Sequence, residues 1–546
     1  MTSRTLGHRA PLLWVLLPLM AGLVAGKLDW LPFPPLVWAL AAVGCIVAAF
    51  ASPRAWTAGI VTGVFLSGAA YYDLSRDRLD DWDSLPPREV NVTLQIDRVF
   101  PPEPGWTTVG GLGRIVASEA HVRELERQRV YFSIRLKPDD ATPVRSSRME
   151  VTGVLQTLPR NAPDDSFDGY LSNQGMNFTL TRARVTGMTE KAGAYPVFCD
   201  TALRRFNEIL TKGIGSHPEQ GGVLRAMLLG RQQELSDGQK TVFRESGTMH
   251  LFSISGLHIA VIAVVIQGIL LLARLPALVR VAAGGVLLWL YVDITGGTPS
   301  AVRAFLMVMF LHASHTLRVP GNPFAALVAS AVCVLLVEPM QLFTASFQLS
   351  YGIVTALLLL GLPMAERLLA QSALFTQLPK VSWRWWHHTA DWVRQAVLGS
   401  LAIGLATSVV SLVSGVVIFG LFTPVSLIAN LVLIPVGSLV IISGFLALLS
   451  GLAGAEWLAV VLNHASVLLL IIVEKGVHLF VDLPGASHAA RFSPVWLGQV
   501  AFAGLLGVIL AGYTMNWSAK RGGMWTPFIF ALLALLAGMR WVSAPP

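Results

Sequence analysis

The chain alternates between long apolar runs and short polar interruptions, and one extended polar stretch breaks that rhythm after residue 72. Runs of roughly 18 or more apolar residues have the length that crosses a hydrocarbon core. On this pattern spans are predicted near 11–27, 35–51, 55–72, 250–272, 280–295, 300–314, 323–338, 346–362, 396–418, 424–447, 455–473, 495–513 and 524–541. The expected fold class is therefore an α-helical polytopic membrane protein of about 11–13 transmembrane helices, with one small β-barrel domain inserted. The first run resembles a signal peptide, and Val24-Ala25-Gly26 offers small residues for cleavage. Two further apolar runs follow at once, so a retained first span is expected.

Residues 73–195 change period. Val90, Val92, Leu94 and Ile96 alternate with polar positions, as do Val130, Phe132, Ile134 and Leu136. Further extended stretches lie around 107–117, 149–156 and 176–186, separated by Pro, Gly and Asp. Four or five such strands predict a small barrel or sandwich, of which the OB-like barrel is one that binds single-stranded nucleic acid. Residues 86–190 carry 13 basic and 13 acidic side chains, so overall charge does not decide the ligand. A nucleic-acid surface would need clustered arginines, with Arg123, Arg127, Arg129 and Arg135 the candidates; an ordinary solvated face is the competing reading. Trp106, Tyr131 and Phe132 are candidates to stack on bases, or to fill the core.

Residues 196–249 are expected to form two amphipathic helices joined at Gly213–Pro218, with Leu203, Phe206, Ile209 and Leu210 sharing one face. A second interfacial candidate is 363–395, whose tryptophans and basic residues suit a membrane belt. The remaining divisions are 1–72, three spans, and 250–546, a helical bundle.

Composition agrees with the pattern: 54% of the 546 residues are hydrophobic and 13% charged, against about 25% charged in soluble domains. With the amino terminus inside, cytoplasmic segments hold Arg4, Arg9, Arg54, Arg274, Arg280, Arg318, Arg367, Lys380, Arg384, Arg394, Lys520 and Arg521. The opposite side holds Lys27, Lys475, Arg491 and Arg540. Twelve against four puts 73–195 outside the cytoplasm. The net charge of +8 is mostly this topological signal. Cys45, Cys199 and Cys333 leave no pair inside 73–195. No CxxC, HEXXH or HxHxDH pattern is present, so neither a metal nor another cofactor is expected.

Four polar constellations interrupt the apolar helices. The first is His250-Leu251-Phe252-Ser253-Ile254-Ser255-Gly256-Leu257-His258, in which Ser255 and His258 share a helical face and Gly256 lets another backbone approach. Its polar face can line a hydrophilic pathway, can bond neighbouring helices, or can form a Ser255 nucleophile with His258 as base. The last needs oxyanion donors and water that nothing nearby identifies. The second, Gly296-Gly297-Thr298-Pro299-Ser300-Ala301-Val302-Arg303, places Arg303 one turn inside a helix. Arginine there pairs, snorkels or faces water. The third is Ser346-Phe347-Gln348-Leu349-Ser350-Tyr351-Gly352, in which Gln348 and Ser350 can hydrogen-bond across helices or line a pore. The fourth sets Asn430 between Pro424 and Pro435, which predicts a kinked or broken span.

At these residues the chain resembles the ComEC family, the inner-membrane channel that admits DNA during natural competence. The resemblance begins at Leu224-Arg225-Ala226-Met227-Leu228-Leu229-Gly230 and runs through the segment ending Ser255-Gly256-Leu257-His258. It resumes at Thr295-Gly296, Ser300-Ala301-Val302-Arg303-Ala304, Pro339, Phe347-Gln348-Leu349-Ser350, and Asn430 with Pro435. Asn161-Ala162-Pro163, Phe167-Asp168 and Gly175 look like the end of the family's extracytoplasmic OB-like domain.

This resemblance implies a competence-type transmembrane channel over 250–546, moving single-stranded DNA across the bacterial cytoplasmic membrane. Ser253, Ser255, Gly256, His258, Arg303, Gln348, Ser350 and Asn430 become pathway candidates, with no catalytic residue. The implied partners, besides DNA and membrane lipid, are an outside receptor and nuclease, a cytoplasmic helicase-like motor and strand-binding proteins. The carboxyl-terminal metallo-β-lactamase-like domain of many members is missing here, so a nuclease is expected from another protein. No GxxxxGK[ST] pattern supplies a motor. An intramembrane serine hydrolase using Ser255 and His258, or a transporter of another polyanion or lipid-linked substrate, is the alternative.

Overall fold

Three apolar helices open the chain: α1 (Leu13–Lys27), α2 (Pro35–Ala51) and α3 (Trp56–Arg76). They belong to a computed structural model that describes residues 10–30, 34–51, 56–100, 107–137, 143–160, 162–163, 166–316, 321–515 and 523–542. Glycines decide how the three pack. A Cβ on Gly22 would lie 2.0 Å from the Phe65 carbonyl oxygen, and one on Gly68 2.7 Å from that of Leu19, so α1 and α3 meet backbone to backbone. Gly59 and Gly63 bring α3 as close to α2. In lipid this closeness is what holds helices together, because apolar burial gains little over acyl chains.

The polar stretch forms β1 (Arg88–Phe100), β2 (Thr108–Ser118), β3 (Arg129–Arg135), β4 (Arg148–Thr157) and β5 (Phe178–Glu190), with α4 (Phe167–Asn173) between the last two. They close in the order β1-β2-β3-β5-β4, β3 and β5 running parallel, the strand order of an OB-like barrel. Val90, Val92, Leu94, Ile96, Val130, Phe132 and Ile134 all point into its core, as their alternation predicts. Phe132 is therefore a core residue and no stacking platform. Tyr131 stands outside in an aromatic run with Phe100, Phe167 and Tyr170. Trp106 and Asn161, like Arg4, Arg9, Arg54, Arg318, Lys520 and Arg521, lie outside the described residues.

The barrel is fastened to the bundle at two places. On one side Lys27 Nζ donates to Asn173 Oδ1 at 3.0 Å, and Arg76 to the Ser172 carbonyl at 2.9 Å. On the other, Arg145 forks onto Asp293 at 2.5 and 2.8 Å. That hydrogen-bonded carboxylate holds the Arg145 guanidinium above its ordinary pKa.

Beyond the barrel come α5 (Ala194–Thr211), α6 (Pro218–Leu229) and α7 (Asp237–Glu245). α5 is amphipathic as expected, burying Phe206, Ile209 and Leu210. α6 is not. Val223, Leu224, Ala226, Met227, Leu228 and Leu229 are all buried, so this helix is packed on every side within the bundle. A helix apolar all round belongs in a core.

The bundle continues with α8 (Gly256–Leu272), α9 (Ala277–Ile294), α10 (Pro299–Thr316), α11 (Pro323–Val337) and α12 (Ala345–Ala356). A π-turn at Leu357–Gly361 leads into α13 (Leu362–Gln371), where Pro363 lacks the amide that would continue the ladder. α14 (Trp385–Phe419), α15 (Ser426–Leu452), α16 (Glu456–Val481), α17 (Val495–Thr514) and α18 (Thr526–Gly538) follow. Of the tryptophan-rich segment 363–395, the first part lies in α13 and residues from Trp385 onward open the 35-residue α14. Residues 539–541, expected to finish a span, instead form strand β8 (Met539–Trp541), which pairs with β7 (His488–Phe492); β7 also pairs with β6 (Leu421–Phe422).

Among the described residues six helices are long and apolar enough to cross a membrane, and six shorter apolar helices accompany them. α3 is in neither group, since Tyr71, Tyr72 and Asp73 make its last turns polar.

One expectation about direction fails. α14 approaches the barrel end: Gly361, about 22 Å down α12–α13 from Ser346 at 1.5 Å per residue, lies against Ile403 and Ala406, and Leu421 sits beside Gly415. Yet Leu427 lies beside Gly404, back toward the far end, and α15 then climbs past Leu228 at Gly444 and Tyr291 at Phe445. Tyr291 adjoins Asp293 at the barrel end, so α14 and α15 run the same way, and the short segment 420–425 returns between them. The break predicted near Asn430 falls just before the helix, and α15 is one continuous helix through Pro435. α16 then runs away from the barrel, which moves Lys475 to the far end, the side of Arg274 and Arg280.

The glycine contacts carry a test. Gly22→Leu should destabilise the protein by about 1–3 kcal/mol or more through backbone collision, read as a lowered unfolding temperature of the purified protein in detergent. Gly44→Leu, where an added Cβ meets nothing within 4 Å, should leave that temperature nearly unchanged.

Candidate functional site

Three of the four polar constellations converge at the barrel end of the bundle. Ser300 Oγ donates to the Ile254 carbonyl at 2.8 Å, tying the start of α10 to the chain entering α8. A Cβ on Gly256 would sit 3.8 Å from that of Ala304, ordinary contact, so the site does not demand glycine there. Arg303, one turn further, reaches the third constellation. Its guanidinium donates to the Ser346 carbonyl at 2.7 Å, to Ser346 Oγ at 2.6 Å and to Gln341 Oε1 at 3.4 Å.

Arg303 is 1% exposed and has no carboxylate partner among the described residues. Its Nε is buried without any acceptor. An acid stands one link away, since Gln341 Nε2 donates to Glu338 Oε2 at 2.9 Å. The Phe347 ring lies 6.0 Å from the guanidinium. A buried cation held only by neutral acceptors keeps most of its charge uncompensated, a costly arrangement. Ser346 itself is exposed, so the cation stands one side chain from the surface.

Ser255 precedes α8 and His258 lies in its first turn, fully buried. His258 Nδ1 is 2.9 Å from Ser255 Oγ and accepts the Ser255 backbone N–H at 3.3 Å. This is the reciprocal half of a capping box, with histidine where glutamate or glutamine usually sits. An accepting Nδ1 assigns the ring proton to Nε2, which is buried with no partner. Ser253 Oγ reaches only the His250 carbonyl, at 3.5 Å, and remains half-buried. Gln348 Nε2 donates to the Leu342 carbonyl at 3.2 Å, which places it in the same wall. Ser350 is half-buried one turn further along α12.

Asn430 does not join them. It lies in the first turns of α15, near where Leu427 meets Gly404 and Ser426 meets Gly247, with its Oδ1 buried and unpartnered. The hydrophilic groups that do converge bond mainly to one another, and a cavity of about 450 Å3 opens elsewhere, at the far end between α8, α9 and α10.

The candidate arginines of the barrel do not form one patch. Arg129 and Arg135 sit at opposite ends of β3, about 20 Å apart at 3.3 Å per residue. Arg123 and Arg127 are exposed on the loop near Arg129, whose Nε is buried and unpartnered. The neck beside the bundle instead holds Asp97, raised in pKa by burial, and Arg98, lowered by burial, with Glu338 acting on both.

Asp293 was missed, although an acid in the apolar run Trp289-Leu290-Tyr291-Val292-Asp293 signals a remote basic partner. Ser346 opens the third constellation, where nothing marks it as a partner of Arg303, and Gln341 carried no comparable signal. Among the described residues no group of three or more His, Cys, Asp or Glu side chains could hold a metal.

A family model described as Competence protein matches residues 227–541. ComE operon protein 3 of Bacillus subtilis (strain 168) is 28% identical over 216 residues, covering 38% of this chain and 27% of that protein. Competence protein ComA of Neisseria gonorrhoeae is 34% identical over 146 residues, covering 25% of this chain and 21% of that protein. The matched stretches thus span about a quarter of each relative. No solved structure matches.

If the buried charge of Arg303 is held for something other than stability, Arg303→Met should leave the purified protein as stable as wild type or more so, because exchanging an uncompensated buried ion for an apolar side chain removes its desolvation cost. Ser346→Ala, which strips the cation of an acceptor, should cost about 1–3 kcal/mol. Thermal unfolding of both variants checks the pair; strong destabilisation by Arg303→Met would make the residue structural.

Proposed function

The chain belongs to the competence protein family, and from that membership we propose that it carries single-stranded DNA inward across the bacterial cytoplasmic membrane during transformation. The barrel faces outside on this reading, where it meets the strand, and the bundle passes it on. What supports the reading is Arg303. A cation kept uncompensated beneath an OB-like barrel, one side chain from the surface, suits a ligand that brings one negative charge per nucleotide. Release of its bonds to Ser346 and Gln341 would expose it. Among the described loop residues of the bundle, Arg274, Arg280, Arg367, Lys380, Arg384, Arg394 and Lys475 lie toward the far end against Lys27, Arg491 and Arg540 toward the barrel, which agrees with a cytoplasmic location there.

Ser255, His258, Gln348 and Ser350 would line or brace the same entrance, and Asn430 a deeper level. An outside receptor and nuclease would deliver the strand. A cytoplasmic motor or strand-binding proteins would draw it in, since the sequence carries no phosphate-binding loop of its own.

The competing reading, an intramembrane hydrolase, draws on the 2.9 Å approach of Ser255 Oγ to His258 Nδ1. The same nitrogen accepts a backbone amide at the positive end of a helix, and no acid orients Nε2, so the pair is better suited to capping than to catalysis. Covalent labelling of Ser255 by a fluorophosphonate probe would favour hydrolysis; no labelling, with full transformation by Ser255→Ala, is the expected result.

The direct test follows labelled DNA into a deletion strain. Without the protein no label should reach the cytoplasm, and normal entry would sink the proposal. Arg303→Ala at unchanged protein level should lower entry roughly tenfold or more, the effect of losing one charge-assisted contact. Arg303→Lys should recover part of it.

A further inference from the structure

The cavity at the end of the bundle away from the barrel belongs to no part of the proposed strand route. It has about 450 Å3 of space, within the range of about 300–1,000 Å3 usual for small-molecule sites. Gln267, Gly268 and Leu271 of α8 form one wall, Arg280 of α9 a second, and His312 and Thr316 of α10 a third. These residues give it one guanidinium and no carboxylate. Arg280 has no ion-pair or hydrogen-bond partner for its side chain among the described residues.

The back of the cleft is built rather than incidental. A Cβ on Gly284 would lie 2.4 Å from Gln267 Nε2, so α9 presses directly on that amide. Gln267 Nε2 lies 3.4 Å from the Arg280 carbonyl oxygen and 3.4 Å from His312 Nδ1. Thr316 Oγ1 donates to the His312 carbonyl at 3.0 Å. Gly268 leaves the floor open, because an added Cβ there meets nothing within 4 Å. The rim is different in kind. Leu271, Leu272, Leu278 and Val279 are exposed large apolar side chains, and in a membrane protein such a surface meets acyl chains.

A polar, singly cationic recess bordered by an apolar surface matches one molecule in both halves. We propose that this cleft binds an anionic phospholipid, its phosphate on Arg280, its head-group oxygens toward Gln267 and Thr316, and its acyl chains along Leu271 and Leu278. Basic pockets between helices at a membrane face bind anionic head groups in this manner. A free phosphate shares the first contact but has no use for the rim. The inference does not depend on DNA transport.

The test uses the full-length protein purified in detergent, with phosphatidylglycerol or phosphatidylcholine added and retained lipid read by native mass spectrometry. Phosphatidylglycerol should be retained about fivefold better, the size of effect expected for one basic residue at an anionic lipid. Arg280→Gln, which removes the charge, and Gly268→Leu, which fills the floor, should each abolish that preference. Gly399→Leu on α14, where an added Cβ also meets nothing within 4 Å, should keep it and shows that a new leucine in a helix is tolerated. Equal retention of the two lipids by the unaltered protein would overturn the proposal. So would a preference that survives both cleft variants. Inorganic phosphate that stabilises the protein as well as phosphatidylglycerol does, measured as a thermal shift lost in Arg280→Gln, would make the cleft an anion site and overturn the lipid assignment.

Discussion

A guanidinium that cannot deprotonate and has no acid beside it fixes the organisation of the barrel end. Arg303 needs acceptors, and in a bundle of apolar helices the acceptors must come from the chain itself. Ser346 supplies two, Gln341 a third, and Gln341 in turn leans on Glu338. These contacts pull the turn before α12 onto α10, while Ser300 pulls the entry to α8 onto the same helix. Three stretches far apart in sequence are thereby held at one level, directly below the barrel. An apolar residue at 303 would not need this arrangement, so the arrangement exists around the charge.

The barrel is positioned by a contrasting device. Arg145 and Asp293 are a paired charge, bidentate, with the guanidinium about a third exposed and the carboxylate buried, so parting them would strand the acid without a partner. The second fastening, through Lys27, Arg76 and α4, uses neutral acceptors on the opposite side. A domain held by hydrogen bonds and one ion pair, rather than by a shared apolar core, keeps its own hydrophobic centre distinct from those of the bundle. The proposed entrance lies between the barrel and an uncompensated cation.

What the sequence made legible follows from which forces are local. The strands of the barrel could be read because a period of two is written residue by residue: Val90, Val92, Leu94 and Ile96 needed no knowledge of their partners. The positions of most apolar helices could be read for the same reason, and so could α5. The pairing of Arg303 could not, because Ser346, although it opens a polar segment of its own, lies 43 residues further on and nothing in either stretch points to the other. α6 was misread as amphipathic, although Val223, Leu224, Ala226, Met227, Leu228 and Leu229 leave no polar face once laid on a helix. Of the motif residues, Ser255, His258, Arg303 and Gln348 are brought together, whereas Asn430 is held at another depth by the course of α15.

The course of α15 shows the deeper limit of hydropathy. An apolar run has length but no sign, so alternation of direction from span to span is an assumption rather than a reading. Here it fails at residues 420–425, which leave the barrel end of α14 and return beside it. Backbone that does this inside a membrane must find hydrogen-bond partners within the protein. It does so through strands. Leu421 and Phe422 pair with Ala489 and His488, Ala490 donates to the Gly420 carbonyl at 2.9 Å, and β8 covers the far edge of β7. Gly420 takes the left-handed conformation that ends α14 (φ 64°), which lets the chain reverse at once. The three short strands, drawn from places widely separated in sequence, are therefore the condition for two neighbouring helices to point the same way. That geometry sets the first turns of α15 beside the middle of α14, so Asn430 sits well inside the bundle instead of at its mouth.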